Sequence, residues 1–310
     1  MRKFLYILCL GLLFTTCDDG DVFEVTLDFD DEFKQCGDLV FYKTNSSTSE
    51  SLSIQFGSLD IETILDVGDD FLYEDTFSLG GSNVFNYRSY DNLPADNILF
   101  CNDIPPSNLG INRDEVSLAG EVFIRTVLVE DDNDGVPSEL EDLNGNGNLE
   151  DDDTDNDGIP NYLDADDDGD NVLTINELDT ENLDGDDDPF TNPLNTDGDI
   201  FPNYLDNDDD GDGVATRDEE NVTQDLSPAN DVTIDTTFNP EGIADYLNDQ
   251  IATTLVATEF RVHEIRMTYT VTATVTNISL PSITQQTLDF GTLNDSENTI
   301  DDRVGNPVFN

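Results

Sequence analysis

Apolar positions along this chain fall into two period-two regions, separated by a long stretch with no apolar period at all. Phe23, Val25, Leu27 and Phe29 alternate with Glu24, Thr26 and Asp28, and Leu52, Ile54 and Phe56 alternate with Ser51, Ser53 and Gln55. A strand turns successive side chains to opposite faces, so both segments read as strands with one buried face. Val122 to Val129 is a near-continuous apolar run broken by Arg125 and Thr126, which reads as a more buried strand. Clusters such as Gly80-Gly81-Ser82-Asn83 and Pro105-Pro106-Ser107-Asn108 mark turns. Strand character returns over 230–293, where Ile265, Met267, Tyr269, Val271, Ala273 and Val275 alternate with Thr268, Thr270, Thr272, Thr274 and Thr276. Phe260 and Val262 sit in the opposite phase, which predicts a bulge near His263–Glu264. One-sided strands predict a mainly β fold, an antiparallel β-sandwich-like module. The polar stretch between the two regions is then either an insertion in one module or a separator of two β domains. The few C-terminal strands favour insertion, because a lone short ribbon is marginal.

Charge changes the picture most in that middle stretch. The chain has 310 residues, 71 acidic and 11 basic, with a formal net charge of −60. Between Glu130 and Glu220 lie 35 of those acids and a single base, Arg217. Like charges about 4 Å apart repel by ~1 kcal/mol in water and ~4 kcal/mol at an effective dielectric near 20. Such a segment either stays an extended acidic spacer or is neutralised by divalent cations. The same charge disfavours nucleic acid and anionic membrane surfaces as partners.

The spacing of the acids points to cations. Pro160-Asn161-Tyr162-Leu163-Asp164 followed by Asp166-Asp167-Asp168-Gly169-Asp170 recurs as Pro202-Asn203-Tyr204-Leu205-Asp206 followed by Asp208-Asp209-Asp210-Gly211-Asp212. Six loops have oxygen donors at positions one, three, five and twelve, with position six reserved for a residue that tolerates positive φ. They are Glu130, Asp132, Asp134 and Glu141; Asp142, Asn144, Asn146 and Asp153; Asp153, Asp155, Asp157 and Asp164; Asp166, Asp168, Asp170 and Glu177; Asn195, Asp197, Asp199 and Asp206; and Asp208, Asp210, Asp212 and Glu219. Gly135, Gly147, Gly158 and Gly213 hold position six in four of them, Asn171 holds it in the fourth loop, and Ile200 in the fifth. The backbone carbonyl at position seven, as at Val136 or Val214, adds a donor. An all-oxygen set suits several Ca²⁺ ions, since zinc prefers nitrogen or sulfur and Mg²⁺ stricter octahedral geometry.

The flanks lack the amphipathic helices of an EF-hand. On Asp153-Thr154-Asp155-Asn156-Asp157-Gly158-Ile159-Pro160-Asn161, residues 130–220 resemble thrombospondin type 3 repeats. That resemblance implies Asp-rich loops wrapped around a string of calcium ions, with little regular secondary structure. The tract has no cysteine, so its order would rest on metal alone.

The N-terminus reads as a processing segment. Met1-Arg2-Lys3 precedes an apolar core from Phe4 to Phe14, too short to span a bilayer. Leu13-Phe14-Thr15-Thr16-Cys17 resembles the lipobox of bacterial lipoproteins, which would make 1–16 a signal peptide and Cys17 the lipidated first residue. The alternative is ordinary secretion with cleavage nearby. Asp18-Asp19-Gly20-Asp21 would then be an acidic tether (17–21), similar to the export signal of surface-displayed lipoproteins. Cys36 and Cys101 remain, 65 residues apart, and suit either one disulfide in an exported protein or two buried thiols.

The expected organisation is thus a signal peptide, the tether, a β domain over 22–129, calcium-binding repeats over 130–220 and a β-rich region over 221–310 that completes the first β domain. The expected function is a non-enzymatic, surface-exposed outer-membrane lipoprotein of structural or adhesive role, with a lipid anchor and an extracellular protein or glycan ligand. The competing reading is a hydrolase or carbohydrate-active enzyme with its site in the β domain, for example Asp28 or Glu121 with Asp289, and the tract as spacer. His263, the one histidine, reads as a surface or bulge residue rather than a catalyst.

Overall fold

The computed structural model describes residues 27–37, 39–102, 104, 106–117, 119–179, 192–281 and 283–309. The signal segment, Cys17 and the acidic tether lie outside these residues. Within them the protein is mainly β. Ten strands form one sheet: β1 (Glu32–Cys36), β2 (Val40–Asn45), β3 (Glu50–Gln55), β4 (Leu72–Ser78), β5 (Val84–Tyr90), β6 (Ile111–Ser117), β7 (Glu121–Asp131), β8 (His263–Ser279), β9 (Thr284–Leu293) and β10 (Ile300–Gly305). The order is β4-β7-β8-β9-β1-β2-β3-β5-β6, with β10 pairing β8. The pairing of β1 with β9 is parallel. The acidic tract leaves from β7 and the chain returns in β8, its neighbour in the sheet. No helix of the described residues is long and apolar enough to cross a membrane.

The chain divides into two compact units. The first comprises the described part of 1–60 with Asp75–Ile124 and Thr272–Asn294. Its core is aromatic. Phe33 packs on Phe41 and Phe290 with ring centroids 4.6 and 5.4 Å apart, and Phe56 bridges Phe41 and Phe77. Leu52, Ile54 and Phe56 are buried, as the alternation of β3 requires. A disulfide joins Cys36 at the end of β1 to Cys101, with Cα atoms 5.2 Å apart. The second unit comprises Ile61–Glu74, Arg125–Val271 and Asp295–Asn310. It contains the acidic tract, and among its described residues the secondary structure is almost wholly three-residue 3₁₀ turns.

Three strand expectations change. Phe23 and Val25 lie outside the described residues, and 27–30 carry no strand. There the Asp28 carbonyl accepts the Asn45 amide at 2.8 Å instead of joining a ladder. The run from Val122 to Val129 is one-sided rather than buried throughout. Val122, Ile124, Thr126 and Leu128 are buried, while Phe123, Arg125 and Val129 are exposed and Arg125 pairs with Glu74. The bulge lies at Ala273/Thr274, not His263–Glu264, where the β8–β10 ladder is regular. At the bulge Ala273 faces Gly291, whose φ of +90° and contact with the Asp31 carbonyl admit no side chain. Phe260 and Val262 precede the strand, because the Arg261 N–H donates to Asn171 Oδ1 at 2.7 Å.

Candidate metal centre

The acidic loops curl by a repeated set of hydrogen bonds from backbone to carboxylate. The N–H at position five donates to the position-three carboxylate: Asp134 to Asp132 at 2.9 Å, Asp157 to Asp155 at 2.9 Å, Asp199 to Asp197 at 2.8 Å and Asp212 to Asp210 at 3.1 Å. The N–H at position seven donates to the position-five carboxylate: Val136 to Asp134 at 2.7 Å, Ile159 to Asp157 at 2.6 Å, Val172 to Asp170 at 2.6 Å and Val214 to Asp212 at 2.8 Å. Position six lies at positive φ, +103° at Gly135, +97° at Gly158, +72° at Asn171 and +96° at Gly213. Each Asp thus spends one oxygen on the backbone and turns the other inward.

The inward oxygens cluster. One oxygen from each member lies within 4.8 Å of the others in Asp132/Asp134/Glu141/Asp167, Asp153/Asp155/Asp157, Asp166/Asp168/Asp170, Asp170/Glu177/Asp209 and Asp197/Asp199/Asp206. Both carboxylate oxygens of Glu141, Asp167, Asp168 and Glu219 are buried with no hydrogen-bond partner. Burial first, then neighbouring carboxylates, pushes these groups up: Asp132 to about 10, Glu141 to about 8, and Asp167, Asp168 and Asp170 well above the usual carboxylate range. Glu219 rises to about 9 by burial, then by Asp210, Asp212, Asp245 and Asp208. A buried, unpartnered oxygen costs roughly 1–3 kcal/mol and a charged one more, so so many together make a poor protein interior. They make an all-oxygen cage for a hard dication.

The grouping differs from loop spacing in instructive places. Glu130 stands apart from the Asp132, Asp134 and Glu141 cluster and forms a bidentate pair with Arg303 at 2.7 and 2.9 Å. Its place beside Asp132, Asp134 and Glu141 is taken by Asp167. Asp209 likewise joins Asp170 and Glu177. Asp167 and Asp209 are the middle residues of the two Asp-Asp-Asp runs, so each copy of the repeat completes a site begun earlier in the chain. Their backbones are held alike, with the Asp167 N–H on Thr174 Oγ1 and the Asp209 N–H on Thr216 Oγ1, both at 3.2 Å. That recurrence in the sequence was the available signal for both. In the second loop Asn144 and Asn146 donate to Asp151, and Asn144 to Asp152, while Asp142 accepts the Asn146 and Gly147 N–H groups. Asp164 is buried against His263, with Oδ1 3.2 Å from Nε2. His263 is therefore an interior residue, not a surface one, and burial lowers its pKa. In the fifth loop Asp197 and Asp199 are exposed.

Arg217 shields one flank of the tract, its guanidinium carbon 5.4 Å from the centroids of both Phe260 and Phe309. The Leu255 and Ala257 N–H groups donate to Asp218 at 2.7 Å each. In the first unit, a groove of about 590 Å³ beside the disulfide is lined by Ser53, Gln55, Asn86, Arg88, Phe100 and Val116 among others. Its lining holds no carboxylate and no histidine, and so none of Asp28, Glu121 and Asp289.

A family model described as BamM C-terminal matches residues 131–190. This corrects the resemblance drawn from the motif: the tract is similar to that family, not to thrombospondin type 3 repeats. The match covers a minority of the chain. No curated protein and no solved structure matches the chain.

Proposed function

We propose that the protein is a calcium-stiffened, surface-exposed outer-membrane lipoprotein that acts by binding or scaffolding rather than by catalysis. The observation that carries this reading is the set of buried carboxylates with both oxygens unpartnered, at Glu141, Asp167, Asp168 and Glu219. Water cannot solvate them, no base reaches them in sufficient number, and every donor is oxygen. Calcium fits that set, and at ~1 mM calcium with Kd ~0.1 mM each filled site adds ~1.4 kcal/mol. The acidic loops of 131–179 and 195–219 would hold the metal and be ordered by it. The β strands of the first unit would present the surface for an extracellular protein or glycan, or for another component of an outer-membrane assembly. The lipidated Cys17 would tether the chain, and the similarity to BamM C-terminal supports a membrane-associated assembly as the setting. Limited proteolysis of the full chain tests the central part. Chelation should open 131–219 to cleavage while the first unit persists. Equal resistance with and without calcium would reject it.

A further inference from the structure

We infer that residues 231–251 are a third copy of the repeat, one that holds its fold without a cation because a side-chain amide fills the cation's place, and that it closes the C-terminal end of the tract. This rests on the metal-binding reading of the first two copies. In sequence, Gly158-Ile159-Pro160-Asn161-Tyr162-Leu163-Asp164 has its counterpart in Gly242-Ile243-Ala244-Asp245-Tyr246-Leu247-Asn248. The residues before the turn, Pro160, Pro202 and Ala244, are evenly spaced along the chain. The Asp residues that mark the first two copies are gone, and Thr237, Asn239 and Glu241 stand at positions one, three and five.

The structure makes the kinship specific. All three copies carry a 3₁₀ turn at the same place: Asn161–Leu163, Asn203–Leu205 and Asp245–Leu247. In each, the first residue of the turn is buried and its N–H donates to a carbonyl earlier in the chain, nine residues back in the first two copies and fourteen back in the third, where the segment before the loop is longer. Those bonds run from Asn161 to Asp152 at 2.8 Å, from Asn203 to Leu194 at 2.8 Å and from Asp245 to Asp231 at 2.9 Å. In each, the same side chain also clasps a threonine twice, seven residues upstream in the first two copies and twelve upstream in the third. The Thr154 N–H reaches Asn161 Oδ1 at 2.9 Å and Asn161 Nδ2 returns to Thr154 Oγ1 at 2.9 Å, with 2.8 and 3.0 Å for Thr196 and Asn203. In the third copy the Thr233 N–H and hydroxyl both donate to Asp245, at 2.6 and 2.7 Å.

What differs is the loop interior. In copy one the half-buried or buried carboxylates of Asp153, Asp155 and Asp157 converge, and in copy two those of Asp197, Asp199 and Asp206 converge, the first two exposed. In the third copy Asn239, 1 % exposed, sits inside the loop. Its Nδ2 donates to the carbonyls of Thr233 at 3.0 Å and Ile243 at 2.7 Å, and its Oδ1 accepts the N–H groups of Gly242 at 3.1 Å and Ile243 at 2.9 Å. A neutral amide thereby draws inward the carbonyls that a cation would draw. Among the described residues of 231–251, no buried side-chain oxygen lacks a partner. A degenerate end repeat is also what a quasi-linear array needs, because its last unit has no successor to complete its sites.

Hydrogen exchange of the full chain in calcium and in chelator tests this. Peptides covering 231–251 should keep their protection in chelator, within about twofold, while those covering 153–164 and 195–206 lose it. Loss at 231–251 in parallel with 195–206 would overturn the inference. Should 153–164 keep its protection in chelator, the metal reading fails, and Asn239→Asp decides the cap separately. A carboxylate there faces two carbonyls, so exchange over 231–251 should quicken about tenfold or more with chelator present. Unchanged exchange in Asn239→Asp would overturn the assignment of the amide.

Discussion

Asp167→Asn separates a metal ligand from an ordinary buried acid, because its effect changes with calcium. Asp167 is 2 % exposed, lies within 4.8 Å of Asp132, Asp134 and Glu141, and has both oxygens unpartnered. With a dication about 2.4 Å away, the lost attraction at an effective dielectric near 20 is about 14 kcal/mol. Against it stand three relieved carboxylate repulsions of about 4 kcal/mol each at ~4 Å. The difference, about 2 kcal/mol, is roughly a 30-fold weaker Kd at that site. It is also about 4–8 °C off the melting temperature of a unit this size with calcium bound. In chelator at pH 7 the picture inverts. Burial, then Asp134, Glu141 and Asp132, push the Asp167 carboxyl well above the usual carboxylate range and so disfavour its charge, and a neutral amide of the same shape costs little or stabilises. Calorimetry with calcium and thermal melts in both conditions measure the two arms. An equal loss of stability with and without calcium would show that Asp167 is structural and refute the ligand assignment.

Four further outcomes are expected. Calcium affinity should rise from pH 5 to pH 9 as Asp134, near 6, Asp155, near 7, and Glu141, near 8, give up protons. These folded values lie above the unfolded ones, so the metal-free tract is most stable below pH ~4 and loses stability as pH climbs through them; pH-independent affinity would contradict this. Replacing Cys36 and Cys101 together with Ser should lower the stability of the first unit by roughly 4 kcal/mol for a 65-residue separation, seen as a lower urea midpoint. Gly291→Ala should unfold or strongly destabilise that unit, because a Cβ at φ +90° would overlap the Asp31 carbonyl, and a wild-type melting curve would exclude the close approach. Cys17→Ala should release the protein from membranes, and retention there would refute the anchor.

Much of the loop chemistry was legible because local spacing fixes it. The curl of Asp153, Asp155 and Asp157 follows from side chains bonding the backbone two residues on, with Gly158 supplying the positive φ. Asn171 does the same work as glycine, at φ +72°. What spacing could not show was anything set by contacts distant in sequence. Glu130 has the right place in a loop, but Arg303 takes it, 173 residues away. Asp167 and Asp209 carry no loop position, yet the fold returns each to an earlier site. His263 looked solvated among charged neighbours, and only the packing of the segment before β8 against the tract shows it buried beside Asp164. The third copy stayed hidden because the acids that define the motif are the residues it has replaced. The one-sided burial of β7 escaped for a different reason: Phe123 and Val129 are apolar but exposed, and apolar side chains on a surface are common.

The most direct test is a calcium titration of the full chain at pH 7.5, read by native mass spectrometry alongside calorimetry. The account predicts at least four ions per chain, with far-ultraviolet and near-ultraviolet spectra that change as they bind and revert on chelation. Binding of one ion or none, with identical spectra in calcium and chelator, would contradict it.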